Sequence, residues 1–322
     1  MTVARMLIER LAKLLLVVLI VSFLTFMLTK LLPGSPVNTI LGSEASNPVA
    51  RAAVEERLGL DKPFISQYLG YLHGVVIEQD LGKSYSQDIP TTTYLAQRLP
   101  ATLQLMLMAQ VISILISVPL ALFSAYRANS RADKAITAGA FGLISLPGFA
   151  AAVFLVYIFS IQLDLFPAIG YDRITGPGGI GDNLRSVVLP VAVLTTGLTA
   201  VYTRLLRSDL IATLQEDFVL MARSKGLPTW HILLRHALRP SSFSLLTVFA
   251  INFGALIGGS VIVETFFVIP GVGELAVRSI LTREYLLVQG VVLVIATAFV
   301  LVNFVTDLLY SVLDPRVRRA GA

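Results

Sequence analysis

The sequence predicts an all-α integral membrane protein with six transmembrane helices and an extracytoplasmic subdomain after the first. Three observations carry this. Of 322 residues, 55% are hydrophobic and only 14% charged, with a mean hydropathy of +0.78. The apolar residues form blocks about 20 residues long, enough for a helix to cross the hydrocarbon core. The basic residues cluster at the ends of those blocks, as membrane topology requires. Within lipid every backbone N–H and C=O must be paired inside the segment, so such blocks are helices. The chain has no cysteine, which excludes disulfides, zinc–thiolate centres and thiol nucleophiles. A net charge of +5 gathered at helix ends is a poor footprint for nucleic acid.

The first span is expected at Leu11–Leu32. Arg5, Arg10 and Lys13 before it look like the basic region of a leader peptide. However, the run Leu14–Leu32 is long for one and Pro33-Gly34-Ser35-Pro36 is a poor cleavage site, so a retained helix is expected. Residues 33–97 then form the subdomain. Pro48 to Leu58 reads as an amphipathic helix ending near Gly59, and Tyr68, Leu69, Tyr71 and Leu72 are spaced for one apolar helical face. Two readings of this segment stand side by side: a docking surface for an external partner, or a cap over helix ends.

The remaining spans are expected at Ala101–Tyr126, Ile136–Gln162, Val187–Leu206, Phe243–Val263 and Leu286–Leu309, within a core covering 98–311 and followed by a tail at 312–322. Six crossings put both termini on one side. That side holds most of the 25 basic residues: Arg5, Arg10 and Lys13, then Arg127, Arg131 and Lys134, then Arg204, Arg207, Arg223, Lys225, Arg235 and Arg239, and finally Arg316, Arg318 and Arg319. The short loops opposite hold only Arg173, Arg185, Arg278 and Arg283, so both termini are expected in the cytoplasm.

Several motifs fall short of chemistry. Gly82-Lys83-Ser84 resembles the end of a phosphate-binding loop, but the required earlier glycine is Ile77 and no strand precedes it. Gly176, Gly178 and Gly181 fit G-x-G-x-x-G without a βαβ frame and read as a flexible turn. His73, His231 and His236 are too few and too scattered for a metal, and the five-residue spacing of the last two splays them on an α-helix. No nucleophile–base pair is evident, so no catalytic residue, metal or bound cofactor is expected, and any energy source must come from a partner. Polar groups inside the spans include Gln104, Gln110, Asn252 and Asn303. Asn252, near Gly254, Gly258 and Gly259, is the candidate for a translocation pathway, with a helix–helix hydrogen bond as the stronger alternative. No acid lies clearly mid-span; Asp164 and Asp307 fall near helix ends.

The most distinctive stretch is Asp217–Pro240. Ser208 or Asp209 can cap a helix start, and Glu216 with Asp217 suits another N-terminal turn. Gly226-Leu227-Pro228 breaks the helix. A second helix is expected from Thr229 to Leu238, ending before Pro240. Ala222 and Gly226, four apart, would form a small-residue notch flanked by Arg223 and Lys225, a shape suited to a groove on a partner; the plain alternative is an ordinary basic cytoplasmic loop.

These residues resemble the permeases of bacterial ABC importers with the type I fold, in particular the dipeptide/oligopeptide/nickel family. That family carries a degenerate Glu-Ala-Ala, three residues, Gly element here. Aligned on Gly226, the second alanine is Ala222, while Leu220 and Met221 stand at the first two positions, a departure from the pattern. Ala222-Arg223-Ser224-Lys225-Gly226 and Arg235-His236-Ala237-Leu238-Arg239 are similar to its peptide branch. So are Leu58-Gly59-Leu60-Asp61-Lys62-Pro63, Asp80-Leu81-Gly82, Arg98-Leu99-Pro100-Ala101-Thr102-Leu103, Ser145-Leu146-Pro147, Gly258-Gly259, Glu264-Thr265-Phe266, Pro270-Gly271-Val272-Gly273 and Asp314-Pro315-Arg316. The long first outer loop is similar to that of the first permease subunit, the dipeptide permease B type.

The resemblance implies a peptide importer in the bacterial cytoplasmic membrane. It implies a homologous second permease, ABC ATPase subunits that bind ATP and Mg, and an extracytoplasmic solute-binding protein. It implies ATPase contacts through 208–240, with Asp217, Ala222, Arg223, Lys225, Gly226, Arg235, His236 and Arg239 as the coupling residues. Nickel, glutathione or another small solute is the alternative cargo. An ion-gradient secondary transporter is the alternative mechanism, but it calls for midplane carboxylates, broken helices and internal repeats.

Overall fold

The structure, a computed structural model, describes residues 3–31, 36–57 and 59–313. Helices account for most of it: α1 (Val3–Leu31), α2 (Pro36–Leu41), α3 (Pro48–Arg57), α4 (Phe64–His73), α5 (Thr91–Tyr126), α6 (Arg131–Ser145), α7 (Gly148–Val156), α8 (Gly179–Thr213), α9 (Asp217–Ser224), α10 (Thr229–His231), α11 (Leu238–Phe266), α12 (Val272–Leu281) and α13 (Tyr285–Leu313). Leu32, Pro33 to Ser35, Leu58 and the Asp314-Pro315-Arg316 motif lie outside the described residues, as do the side chains of Arg5, Arg10, Lys13 and Asp307 and the surroundings of Gly259. Among the described residues, the helices long and apolar enough to cross a membrane are Thr91–Tyr126, Gly179–Thr213, Thr229–Gly258 and Tyr285–Val305; α1 holds a shorter apolar stretch, Leu14–Leu28.

The third expected span is corrected. Ile136–Gln162 is not one helix: α6 and α7 meet at Leu146-Pro147 with a bend of 101°. The cause is local. Proline disfavours the helical region for the residue before it, and Leu146 is extended at φ −86°, ψ 115°. Pro147 (φ −58°) then opens α7. The pair makes a fifth crossing if it counts as one span.

Two compact units emerge, Met1–Pro100 with Pro270–Leu301, and Ala101–Ile269 with Val302–Ala322. In the first, α4 turns its aromatic side onto α1: Phe64 and Tyr68 meet Phe23 and Phe26, Tyr71 meets Phe26, and the Tyr68 and Ser22 hydroxyls are 2.8 Å apart. Leu69 is not part of that face and is exposed; a helical face recurs every three to four residues, so 64, 68 and 71 align and 69 does not. Leu95, Val272, Leu275 and Val291 form a small core under Leu81 and Tyr94. Gly290 permits it, since a Cβ there would meet the Thr91 methyl at 2.4 Å. Glu284, fully buried, replaces any phosphate logic for Gly82-Lys83-Ser84. It accepts from the Ser84 hydroxyl (3.0 Å), the Tyr85 and Ser86 amides (2.7 and 3.0 Å) and the Ser86 hydroxyl (2.6 Å). Burial, then the Glu284 charge, pushes the Tyr85 phenol well above its ordinary pKa.

In the second unit α8 is the hub, with α6, α7 and α11 packed along it. The span glutamines serve this packing. Gln104 donates to Asn183 Oδ1 (2.6 Å) and accepts from Tyr171 (2.8 Å), and Gln110 accepts from the Tyr202 hydroxyl (2.7 Å). Glu264, completely buried in the last turn of α11, accepts from Thr102 at 2.7 Å.

Candidate functional site

The candidate site is the helical hairpin from Asp217 to Arg239. Its first half follows from three local signals. Glu216 is extended (φ −71°, ψ 149°) and its carbonyl accepts from the Val219 and Leu220 amides, so α9 starts there. Gly226 takes φ +77°. Its amide bonds to the Arg223 carbonyl (2.9 Å), and the Leu227 amide bonds back to Ala222 (3.3 Å). That pair of bonds is the Schellman closure, which needs a left-handed residue at the position Gly226 fills. Leu227 then folds onto Ala222, Val219 and Ile232, the hydrophobic contact that accompanies this cap.

Two expectations are corrected here. Ser208 and Asp209 cap nothing, because α8 continues without a break to Thr213. Ala222 forms no outward notch. It is buried in the hairpin's own core, because α9 is amphipathic and its Val219–Ala222 side must cover Ile232. The outward face is instead Phe218, Leu220 and Met221, all exposed, with Arg223 and Lys225 beside them and Asp217 exposed at the start.

The second half also departs from expectation. The helix does not stop before Pro240: α10 passes through a π-helical stretch, Ile232–Ala237, directly into α11. The wide turn just ahead of Pro240 accommodates a ring that would clash in a regular α-helix. It also overturns the splaying of the two histidines. With bonds five residues long, His231 and His236 lie along one side, their rings tilted by 53° with centroids 5.8 Å apart. Arg235 and Arg239 are exposed.

The hairpin is clamped to the spans. Trp230 stacks on Tyr126 at the end of α5 (4.7 Å, 21°), and the Thr213 and Ser241 hydroxyls meet at 2.9 Å across its base. One turn and a half before the base, Arg207 makes a two-pronged pair with Asp133, Nε to Oδ1 at 2.6 Å and an Nη to Oδ2 at 2.7 Å. Asp133, 1% exposed, also accepts from the Ser124 hydroxyl and the Asn129 amide. The α5–α6 turn and α8 are thereby joined beside the hairpin. Sequence reasoning passed over this pair, counting Arg207 only as a topology charge. The available signal was Ser130-x-x-Asp133, an N-cap pattern confirmed by the Ser130 Oγ bond to the Asp133 amide at 3.2 Å.

For the second candidate site, Asn252 lies against Tyr202, which also holds Gln110, while its own amide nitrogen is buried and unpaired. Gly258 faces outward with nothing near it. Among the described residues no group of three His, Asp or Glu side chains could hold a metal.

Comparison with known proteins gives a consistent result. Residues 117–319 match the family described as binding-protein-dependent transport system inner membrane component, and residues 3–106 match the family of its N-terminal membrane component. A Brucella abortus (strain 2308) protein named as a peptide transport system permease is 38% identical over 97% of this chain and 98% of its own length. The oligopeptide transport system permease protein AppB of Bacillus subtilis (strain 168) is 33% identical over 92% and 94%. A Sinorhizobium fredii protein named as a peptide ABC transporter permease is 32% identical over 96% and 98%.

Proposed function

This chain belongs to the family of inner-membrane components of binding-protein-dependent transport systems, and on that premise we propose that it is the permease subunit of an ATP-driven ABC importer that moves peptides into the cell. It pairs with a homologous permease. ABC ATPases that carry ATP and Mg bind on the cytoplasmic side, and a solute-binding protein delivers peptide from outside. This chain performs no bond chemistry; it converts a rigid-body movement of the ATPases into a change of access. The six crossings comprise α1, α5, the α6–α7 pair, α8, α11 and α13, with both termini cytoplasmic and the charge bias supporting that orientation.

The observation that carries the coupling role is the two-sided character of α9. Its inner side is locked in a core with Ile232 and Leu227. Its outer side leaves Phe218, Leu220 and Met221 in the open, Met221 at 61% exposure, rimmed by Arg223 and Lys225. Such a rimmed apolar patch is what a protein interface presents. Ala222 and Gly226 thus act by shaping the hairpin, and Arg223, Lys225, Arg235, His236 and Arg239 by surrounding the seat. The test is Met221→Arg, which changes the outer face and nothing inside. Co-purification of the ATPase subunits and ATP-dependent peptide uptake in proteoliposomes should fall together at least tenfold, with the melting temperature unchanged. Full ATPase retention by the variant would remove α9 from the interface. Uptake of nickel or glutathione but no peptide would remove the cargo assignment.

A further inference from the structure

The helix α4 has more apolar surface than its contact with α1 uses. Phe64, Tyr68 and Tyr71 pack on Phe23 and Phe26. Beside that face runs a second apolar stripe that stays open. Ile65 and Leu69 are 59% and 58% exposed, and Leu72 is half-buried. Val76 and Ile77, each 66% exposed, continue it through the π-helical turn Gly74–Glu78 that follows α4 directly.

The contacts with α1 fix the depth of this stripe. Phe64 and Tyr71 stand about two turns apart on α4, yet both meet Phe26, at 5.4 and 5.8 Å between ring centroids. The helix therefore crosses α1 and does not run along it. The crossing lies at Phe23 and Phe26, inside the apolar stretch Leu14–Leu28. At 1.5 Å per residue that is about 3–8 Å short of the outer end of the stretch.

The same contacts give α4 an inward and an outward side. Gln67 accepts from Lys30 Nζ (2.5 Å), near the outer end of α1. The Tyr68 hydroxyl reaches the other way, donating to the Leu19 carbonyl (3.3 Å) and meeting the Ser22 hydroxyl (2.8 Å). Ile65 and Leu72 flank Tyr68 three residues before and four after, and Leu69 follows Ile65 by four. The open stripe is thus on the Tyr68 side, turned toward the middle of the span. Gln67 and Gly70, three apart, are on the side turned outward.

We propose that α4 with its π-helical turn is an interfacial helix set into the outer leaflet, with Ile65, Leu69, Leu72 and Val76 against the acyl chains. This placement rests on the reading that α1 crosses the membrane with Lys30 toward the outside. The occupant is lipid because the stripe lies at the level of the hydrocarbon edge and faces inward, beside Leu24 and Leu28 of α1, which are themselves 45% and 57% exposed. Interfacial helices bury an apolar face about 5–10 Å into the boundary between headgroups and chains, the depth found for the crossing. Tyr68 and Tyr71 then stand where amphipathic rings gather, and the Lys30 stem lies over Phe26 with its ammonium reaching outward. The segment after the first span is in this part neither a docking face nor a cap in water. It is a collar that sets the depth of α1.

The chain has no cysteine, so single spin labels can measure this. Cysteines replace Ile65, Leu69 or Val76 on the stripe, Gly70 on the outward side and Leu24 on α1. Gly70 is exposed, and a Cβ there meets nothing within 4 Å. Each labelled chain is placed in nanodiscs with its partner permease and ATPases, without the solute-binding protein. Relaxation by oxygen, which concentrates in lipid, is compared with relaxation by a water-soluble nickel chelate. Oxygen should dominate at 65, 69 and 76, at a depth of about 5–10 Å, and the chelate at 70, with the melting temperature unchanged in all. Chelate access at 65, 69 and 76 equal to that at 70 would overturn the proposal. So would labels there that neither reagent reaches, which would give the stripe to a protein partner. The label at 24 separates the premise from the proposal. Chelate access at 24 refutes the α1 crossing, whereas oxygen at 24 with chelate on the stripe refutes the placement of α4 alone.

Discussion

Gly226→Ala isolates one physical term in the hairpin. At φ +77° the position is left-handed, and a Cβ built there meets nothing within 4 Å. The substitution therefore adds no clash, and its whole cost is the strain of an L-residue in that region, roughly 1–2 kcal/mol. The strain falls on the cap: the Gly226 and Leu227 amides hold the Arg223 and Ala222 carbonyls, and Leu227 holds the core around Val219 and Ile232. At about 1.4 kcal/mol per factor of ten, local opening of α9 should become roughly 5–30 times more frequent. The assay is hydrogen–deuterium exchange of the chain in nanodiscs, reading peptides over 217–228 against α8 and α13 as internal controls. Exchange limited by local opening should accelerate by that factor in the hairpin only. Gly226→Asn should lie between Gly and Ala, because asparagine tolerates the left-handed region. Equal protection in Gly226→Ala, or acceleration in Ala and Asn alike, would refute the argument that conformation at this residue holds the hairpin. The chain supplies a reverse control. Val268 occupies the same kind of position after α11, at φ +55°, with the Ile269 amide bonding back to Glu264 at 2.8 Å. Val268→Gly should slow exchange there.

Two further outcomes are expected. Asp133→Asn removes the counter-charge of Arg207 at a carboxylate 1% exposed, so stability should fall on the order of 3 kcal/mol, read as a lower melting temperature of the detergent-solubilised chain; Asp133→Leu combined with Arg207→Met should restore most of it, and failure to do so would mean the pair is not what joins α6 to α8. Single cysteines at Ser46 and Ile174 should react with an impermeant thiol reagent in intact spheroplasts and one at Ala128 only after lysis; the same side for Ile174 and Ala128 would make the α6–α7 pair re-entrant and cancel the six-crossing topology.

Much of this was legible in the sequence for a local reason. Hydrophobic blocks, basic block ends and the helix breakers Gly226-Leu227-Pro228 act within a few residues of themselves, so they identify an all-helical chain with several apolar helices long enough to cross a membrane, the short helix from Asp217 and the turn after it. The same motifs, in order, also pointed to the family. Pro147 places an equally local restriction on Leu146, but it stands inside an apolar block long enough for one span, and the apolar pattern alone does not show the break. What tertiary structure alone decided was direction and pairing. Ala222 faces inward because Ile232 and Leu227 lie over it. Asp133 meets Arg207 and Thr102 meets Glu264 across 74 and 162 residues. Local sequence sets which face of a helix is apolar; only the packing of distant helices sets which polar group on that face finds a partner, and which does not.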